Sequence, residues 1–237
     1  FSLLRSMKSL LCKQFGPIDD LVIEDGPIPV AASGKVVINV KAASLNFPDA
    51  LMVQGLYQVK PPTPFVPGAE YAGIVHAVGE GVAHIKAGDR VAAFTGYGGF
   101  TEYAVADAMR VMPMPPSMSF EQGAAFVLTY ATSYHALKDV ANLQAGETLL
   151  VLGAAGGVGT TAIQLAKIMG ATVIAAASSA EKLALCTSLG ADHAINYSAA
   201  DWRDQVNAIV GKKGVDVVYD AVGGPYAEPA LRCVGWR

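Results

Sequence analysis

Cysteine is scarce in this chain: Cys12, Cys186 and Cys233 stand far apart among 237 residues. They form no C-x-x-C pair and no metal-ligand spacing, which excludes a disulfide scaffold and fits free thiols in a reducing, cytoplasmic setting. Charge is scarce too, at 16% of residues with a net charge of −3. No window gathers enough lysine and arginine for a nucleic-acid footprint, and the Lys212–Lys213 pair between Gly211 and Gly214 reads as a solvated turn. Long apolar runs are missing as well. The longest is broken by glycine and threonine, so neither a membrane span nor a membrane partner is expected. Nothing resembles a cleaved signal peptide, and Phe1–Ser6 reads as sequence upstream of a natural start at Met7. No internal repeat or low-complexity tract competes with a globular reading.

What is present is ample apolar material, 52% of the chain, enough for one large domain or two ordinary ones. The pattern divides it in two, at 7–122 and 123–237. The first part has short β-rich runs such as "KVVINVKAASL" and "AGIVHAVGEGV" among proline and glycine turns. It predicts a mainly antiparallel β domain with one short helical turn around Asp49–Val53. The second part opens with helices rich in alanine and leucine. Four strands follow, "TLLVLG", "TVIAAA", "HAINY" and "VDVVYDAV", with helices starting near Val158, Ala180, Asp201 and Tyr226. Such alternation signals α/β architecture: a parallel sheet with helices on both faces.

The stretch "LVLGAAGGVGTTAIQLAK" places four glycines between the first of these strands and its helix. A doubly wound fold directs that helix N-terminus at a pyrophosphate, where unpaired N–H groups and the helix dipole favour the anion. Glycine lets the phosphate reach the backbone and lets helix and strand pack closely. Ala154, Gly156 and Gly159 fit A-x-G-x-x-G in the strand–turn–helix context that gives the motif weight, with Gly157 and Val158 between. The same glycines would also serve a tight turn that binds nothing.

The choice of nucleotide turns on the end of the second strand, about 20 residues on. A site for NAD places a carboxylate there. This chain has "ASSAEK", with Ser178 and Lys182, which would attract a 2′-phosphate. A carboxylate would repel it by about 4 kcal/mol for unit charges ~4 Å apart at an effective dielectric of about 20. NADPH is therefore the expected cofactor. Ser178 and Glu181 also have the spacing of a capping box for the next helix.

Three segments in order, "SLNFPDALMVQGLY", "PFVPGAEYAGIVHAVGEGVAHIKAGDRV" and "LVLGAAGGVGTTAIQLAKIMGATVIA", resemble the zinc-independent quinone oxidoreductase branch of the medium-chain dehydrogenase/reductase superfamily. The resemblance runs from Met7 onward over nearly the whole chain. It implies a GroES-like β domain followed by a Rossmann domain, with NADPH in the cleft between them. Zinc-dependent relatives carry Cys in the segment matching "SLNFPD" and His in that matching "PGAEYAG"; here stand Asn46 and Ala69. Tetrahedral zinc needs three or four N or S ligands and these places supply none, so no metal is expected.

Chemistry then falls to the nicotinamide, which passes a hydride to a small-molecule quinone or an α,β-unsaturated carbonyl. By resemblance, Asn46 and Tyr57 line the reacting pocket, as donors where negative charge develops, and Asp49 supports them. The same resemblance implies that Thr129 lies near the nicotinamide and that Tyr197 helps Lys182 hold the 2′-phosphate. Where this chain has Leu51, some relatives carry another aromatic residue. Each position has a plainer reading: Asn46 as a turn former, Tyr57 as a loop anchor, Asp49 as a helix cap, Tyr197 as a strand-end aromatic.

Relatives continue past the point where this sequence stops, with a further strand and a segment that returns to the β domain. The chain is expected to be truncated with respect to them, and the full-length form to be a homodimer. A non-catalytic nucleotide-binding protein is the alternative function.

Overall fold

The computed structural model describes residues 6–236, which form two compact units dividing between Leu128 and Thr129. Phe1–Arg5, and with them most of the stretch read as upstream sequence, lie outside the described residues, as does Arg237.

The first unit is built on two antiparallel sheets. Strands β1 (Ser6–Leu11) and β2 (Val22–Pro27) pair with each other. The larger sheet holds β3 (Lys35–Ala43), β4 (Glu70–Val78), β5 (Arg90–Phe94), β6 (Tyr103–Asp107) and β7 (Val111–Pro113), in the spatial order β6-β3-β4-β5-β7. Its core joins Val36 and Ile38 of β3 to Tyr71 and Val75 of β4 and Val91 of β5. These positions alternate along each strand, as a pleated strand with one face on the core requires. Between β3 and β4 lies helix α1 (Phe47–Val53), two residues longer at its start than expected, because Asn46 caps it and Pro48 sits in its first turn. Helix α2 (Phe120–Ala124) is closed by a capping box from Ser119 and Gln122.

Helix α3 (Val127–Tyr134) carries the chain across the division and continues as a π-helical turn over His135–Val140. The second unit is a four-stranded parallel sheet of β8 (Thr148–Leu152), β9 (Thr172–Ala177), β10 (His193–Asn196) and β11 (Val217–Asp220). Its order, β10-β9-β8-β11, reverses direction at β8.

The continuous apolar run of β8 follows from burial on both faces. Leu149 and Val151 pack with Ala162, Ile163 and Ala166 of α4 (Gly157–Ile168) and Cys186 of α5 (Ala180–Ser188). Leu150 and Leu152 pack with Trp202 and Val206 of α6 (Trp202–Val210) and Ala230 of α7 (Ala227–Leu231). Each of these four β8 side chains is fully buried, a contribution of about 1.5–3 kcal/mol apiece. The helices begin within one residue of the expected positions. The fold class is the expected one, a GroES-like β unit followed by a Rossmann-type α/β unit. All three cysteines are free and buried.

Candidate functional site: a glycine turn and a buried carboxylate pair

In the second unit, β8 ends in the turn Gly153–Gly156, closed by the Gly156 N–H donating to the Gly153 carbonyl at 2.9 Å. Gly153 has φ +65°, a region that glycine enters without strain. Gly156 is the N-cap of α4, and its carbonyl accepts the helical bond from Thr160 N–H at 2.8 Å. The N–H groups of Gly157, Val158 and Gly159 therefore stand in the first turn, where no helical carbonyl can reach them. Ala154 is fully buried, its N–H donating to the Ala176 carbonyl of β9 at 3.1 Å.

The glycines are not equivalent. A Cβ on Gly159 would lie 2.5 Å from the Gly153 oxygen and 2.7 Å from the Ala154 Cα, so close packing of helix on turn excludes any side chain there. On Gly157 it would meet the Thr129 methyl at 3.1 Å, and on Gly156 only the Gly153 oxygen at 3.3 Å. Gly156 has φ −79°, open to every residue type, so its backbone conformation does not require glycine and only the approach to the Gly153 oxygen is tight.

Behind this turn lies a hydroxyl network that the sequence reading missed. Ser133 is fully buried and donates to the Val158 carbonyl at 2.8 Å, with Thr161 Oγ1 at 2.9 Å and the Tyr219 hydroxyl at 3.1 Å. Thr161 is also within reach of the Thr129 and Gly157 carbonyls, at 3.1 and 3.2 Å. Nothing local in the sequence distinguishes these hydroxyls from others in helices and strands.

At the end of β9 the backbone stays extended through Ser179, which moves the N-cap of α5 one residue beyond Ser178. The expected Ser178–Glu181 capping box is therefore not formed. Ser179 accepts from Lys182 N–H at 3.4 Å, and a lysine at that third position has no acceptor to return. Ser178 is left at the strand end, where the Lys182 ammonium donates to its hydroxyl at 3.3 Å. Tyr197 lies just past β10, its ring against Tyr226 with centroids 4.7 Å apart.

In the first unit the polar groups gather around Asn46. Asp49 is buried, and one of its oxygens accepts the Asn46 N–H at 2.8 Å while the other accepts the Ala69 N–H at 2.9 Å. Burial pushes its carboxyl above the usual carboxylate range. The N–H donors of Asn46 and Ala69 oppose that, and the nearby Glu70 charge adds to it. Glu70, only 1% exposed, accepts from Ser44 Oγ at 2.8 Å and from Leu128 N–H at 2.8 Å.

Helix α1 separates two hollows. Asn46, Asp49, Ala50 and Val53 border an almost wholly apolar one of about 270 Å³. Pro48 and Met52 face a groove of about 650 Å³ lined also by Tyr57, Ala69, Thr95, Tyr97 and Leu128. The structure thus brings Asn46 and Asp49 together and sets Tyr57 in the groove across the helix. Among the described residues no group of three or more His, Cys, Asp or Glu could hold a metal ion. No helix of the described residues is long and apolar enough to cross a membrane.

Residues 32–116 match the family model described as the alcohol dehydrogenase GroES-like domain, and residues 157–236 match the one described as zinc-binding dehydrogenase. The chain is 39% identical to the synaptic vesicle membrane protein VAT-1 homolog of Rattus norvegicus, over 92% of this chain and 54% of that protein. It is 37% identical to the quinone oxidoreductase-like protein 2 homolog of Nematostella vectensis, over 98% of this chain and 64% of that one. The chain therefore spans little more than half to two thirds of the length of such relatives. A probable oxidoreductase from Mycobacterium abscessus superposes with a TM-score of 0.91 at 40% identity, covering 98% of this chain and 73% of that one. A mycobacterial protein solved with NADPH superposes at 0.88 with 33% identity, over 98% and 71%. Two family models matched in order, and a solved relative covered over most of its length, place the chain: it belongs to the quinone oxidoreductase-like group of the medium-chain dehydrogenase/reductase superfamily.

Proposed function

We propose that this chain serves NADPH-dependent reduction of quinones or α,β-unsaturated carbonyls without zinc. The observation that carries the reading is the glycine turn at the carboxyl end of β8. There a helix opens with three backbone donors, behind a glycine whose φ of −79° any residue could adopt. The residues fit a dinucleotide. Gly156, Gly157, Val158 and Gly159 would hold the pyrophosphate, with Ala154 buried beneath the turn. Ser178 and Lys182 would hold the 2′-phosphate, aided by Tyr197, and Thr129 would stand near the nicotinamide. NADPH bound to the solved mycobacterial neighbour supports the same cofactor.

When bound, the reduced nicotinamide supplies a hydride to the acceptor. The chain's own task is orientation and charge. The Tyr57 groove would take the acceptor, its phenol donating a hydrogen bond to the oxygen on which negative charge builds. By resemblance Asn46, held by Asp49, would be the second polar group of the reacting site, although it borders the hollow across α1 from the Tyr57 groove. The zinc-free reading rests on residue identity: Asn46 and Ala69 occupy the positions from which ligands would come, and neither is a zinc ligand. A homodimer in full-length relatives and a cytoplasmic setting belong to the same reading.

Titration with NADPH and with NADH, followed by nicotinamide fluorescence, tests the cofactor. The acceptor is tested by NADPH consumption with p-benzoquinone. Tight binding of NADPH alone, with consumption, is expected. Binding without consumption across quinones and enones would favour the non-catalytic alternative, and no binding of either nucleotide would overturn both.

A further inference from the structure

We propose that Glu70 is a positioning residue: acting through the Ser44 hydroxyl, it fixes the Asn46 side-chain amide in one orientation. The inference rests on the reading of Asn46 as part of the reacting site.

The direction of each hydrogen bond fixes the arrangement. The Leu128 backbone N–H donates to one Glu70 oxygen at 2.8 Å, and a backbone amide cannot reverse that role. The other oxygen faces Ser44 Oγ at 2.8 Å and, more distantly, Asn46 Nδ2 at 3.4 Å. An ionised carboxylate only accepts, so Ser44 gives its single hydroxyl proton to Glu70. The serine oxygen then has only lone pairs to offer, and Asn46 Nδ2 donates to it at 2.8 Å. Turning the Asn46 amide over would set its carbonyl oxygen against the serine lone pairs and the carboxylate. Two donor directions therefore converge on Glu70, from Leu128 on one side and from Asn46 through Ser44 on the other. Only a group that accepts at both ends can sit there.

Glu70 is also 1% exposed, so water cannot take over either bond. A glutamine of the same shape would break the logic. Leu128 would claim its carbonyl oxygen, and its NH₂ would donate to Ser44. The serine proton would then be released toward Asn46, favouring the inverted amide. Asp49 meanwhile holds the Asn46 backbone at 2.8 Å, so main chain and side chain of this residue are each set by a buried carboxylate.

The test uses the whole chain. In a heteronuclear amide spectrum the two Asn46 side-chain N–H signals are expected to shift in both Glu70→Gln and Ser44→Ala. Ser44→Ala keeps the Leu128 bond, so it serves if Glu70→Gln does not fold. Signals unmoved in both variants, or in Ser44→Ala alone when only that variant folds, would overturn the proposal.

In turnover of NADPH with p-benzoquinone, kcat is expected to fall about 10-fold or more in either variant, with NADPH affinity and the quinone KM held within about twofold. In an Asn46→Ala background neither change should reduce kcat further. Independent, multiplying losses there would overturn a role through Asn46. Should Asn46→Ala alone leave kcat unchanged, the reacting-site reading fails, while the amide signals still decide the positioning.

Discussion

A side chain at Gly159 would collide with the backbone of Gly153, its Cβ lying 2.5 Å from that carbonyl oxygen. At Gly156 the same atom would be 3.3 Å from the same oxygen, a tight but yielding contact. The two glycines should therefore fail in different ways.

Gly159→Ala is expected to lose about 1–3 kcal/mol of stability, because the helix must shift off the turn. Gly156→Ala should stay within about 1 kcal/mol of wild type yet bind NADPH at least about tenfold more weakly, its methyl standing where phosphate would approach. Denaturant midpoints and a fluorescence titration separate the two effects. Undiminished NADPH binding by Gly156→Ala would reduce the turn to a packing device.

Lys182 donates to Ser178 at 3.3 Å, at the strand end where a 2′-phosphate would lie. Lys182→Ala should weaken NADPH by about 10- to 100-fold, the worth of one charge-assisted hydrogen bond. NADH, which has no such phosphate, should change little. Equal losses for both nucleotides would remove Lys182 from this role.

Ser133 is buried with Val158, Thr161 and Tyr219 around it. Ser133→Ala should cost about 1–3 kcal/mol, because the Thr161 and Tyr219 hydroxyls lose their shared buried partner. Urea unfolding measures this, and a midpoint equal to wild type would show that the network adds no net stability.

Tyr71 is fully buried, and its hydroxyl makes no hydrogen bond of good geometry; nearby Thr95 only tempers the effect. Burial pushes its phenol up to about 12. In the unfolded chain it would ionise near about 10. Below that value both states keep the proton and stability is unaffected. As pH rises toward 12 the unfolded chain binds fewer protons than the folded one, so stability falls, by about 3 kcal/mol in all. Tyr71→Phe should remove this part of the alkaline loss in thermal melts. An equally steep loss in the variant would refute the assignment.

Local grammar carried much of the fold. The β8 run, its glycine turn and α4 lie within about 20 consecutive residues, and each signal needs only its neighbours to be read. The α5 boundary shows where such reading fails. One further extended residue at Ser179 shifts the cap, breaks the expected box and frees Ser178 for Lys182.

Chain chemistry alone therefore determined the strand–helix alternation, the glycine turn and the absence of zinc-ligand residue types at Asn46 and Ala69. Tertiary structure decided what pairing over distance controls. Ser133 and Tyr219 meet across 86 residues, and Leu128 reaches Glu70 across 58. Helical phase decided that Asp49 and Val53 border one hollow and Pro48 and Met52 the other, with Asn46 and Tyr57 on opposite sides of α1. The physical reason is the same each time: periodicity fixes which face a residue takes, and only packing fixes what stands opposite.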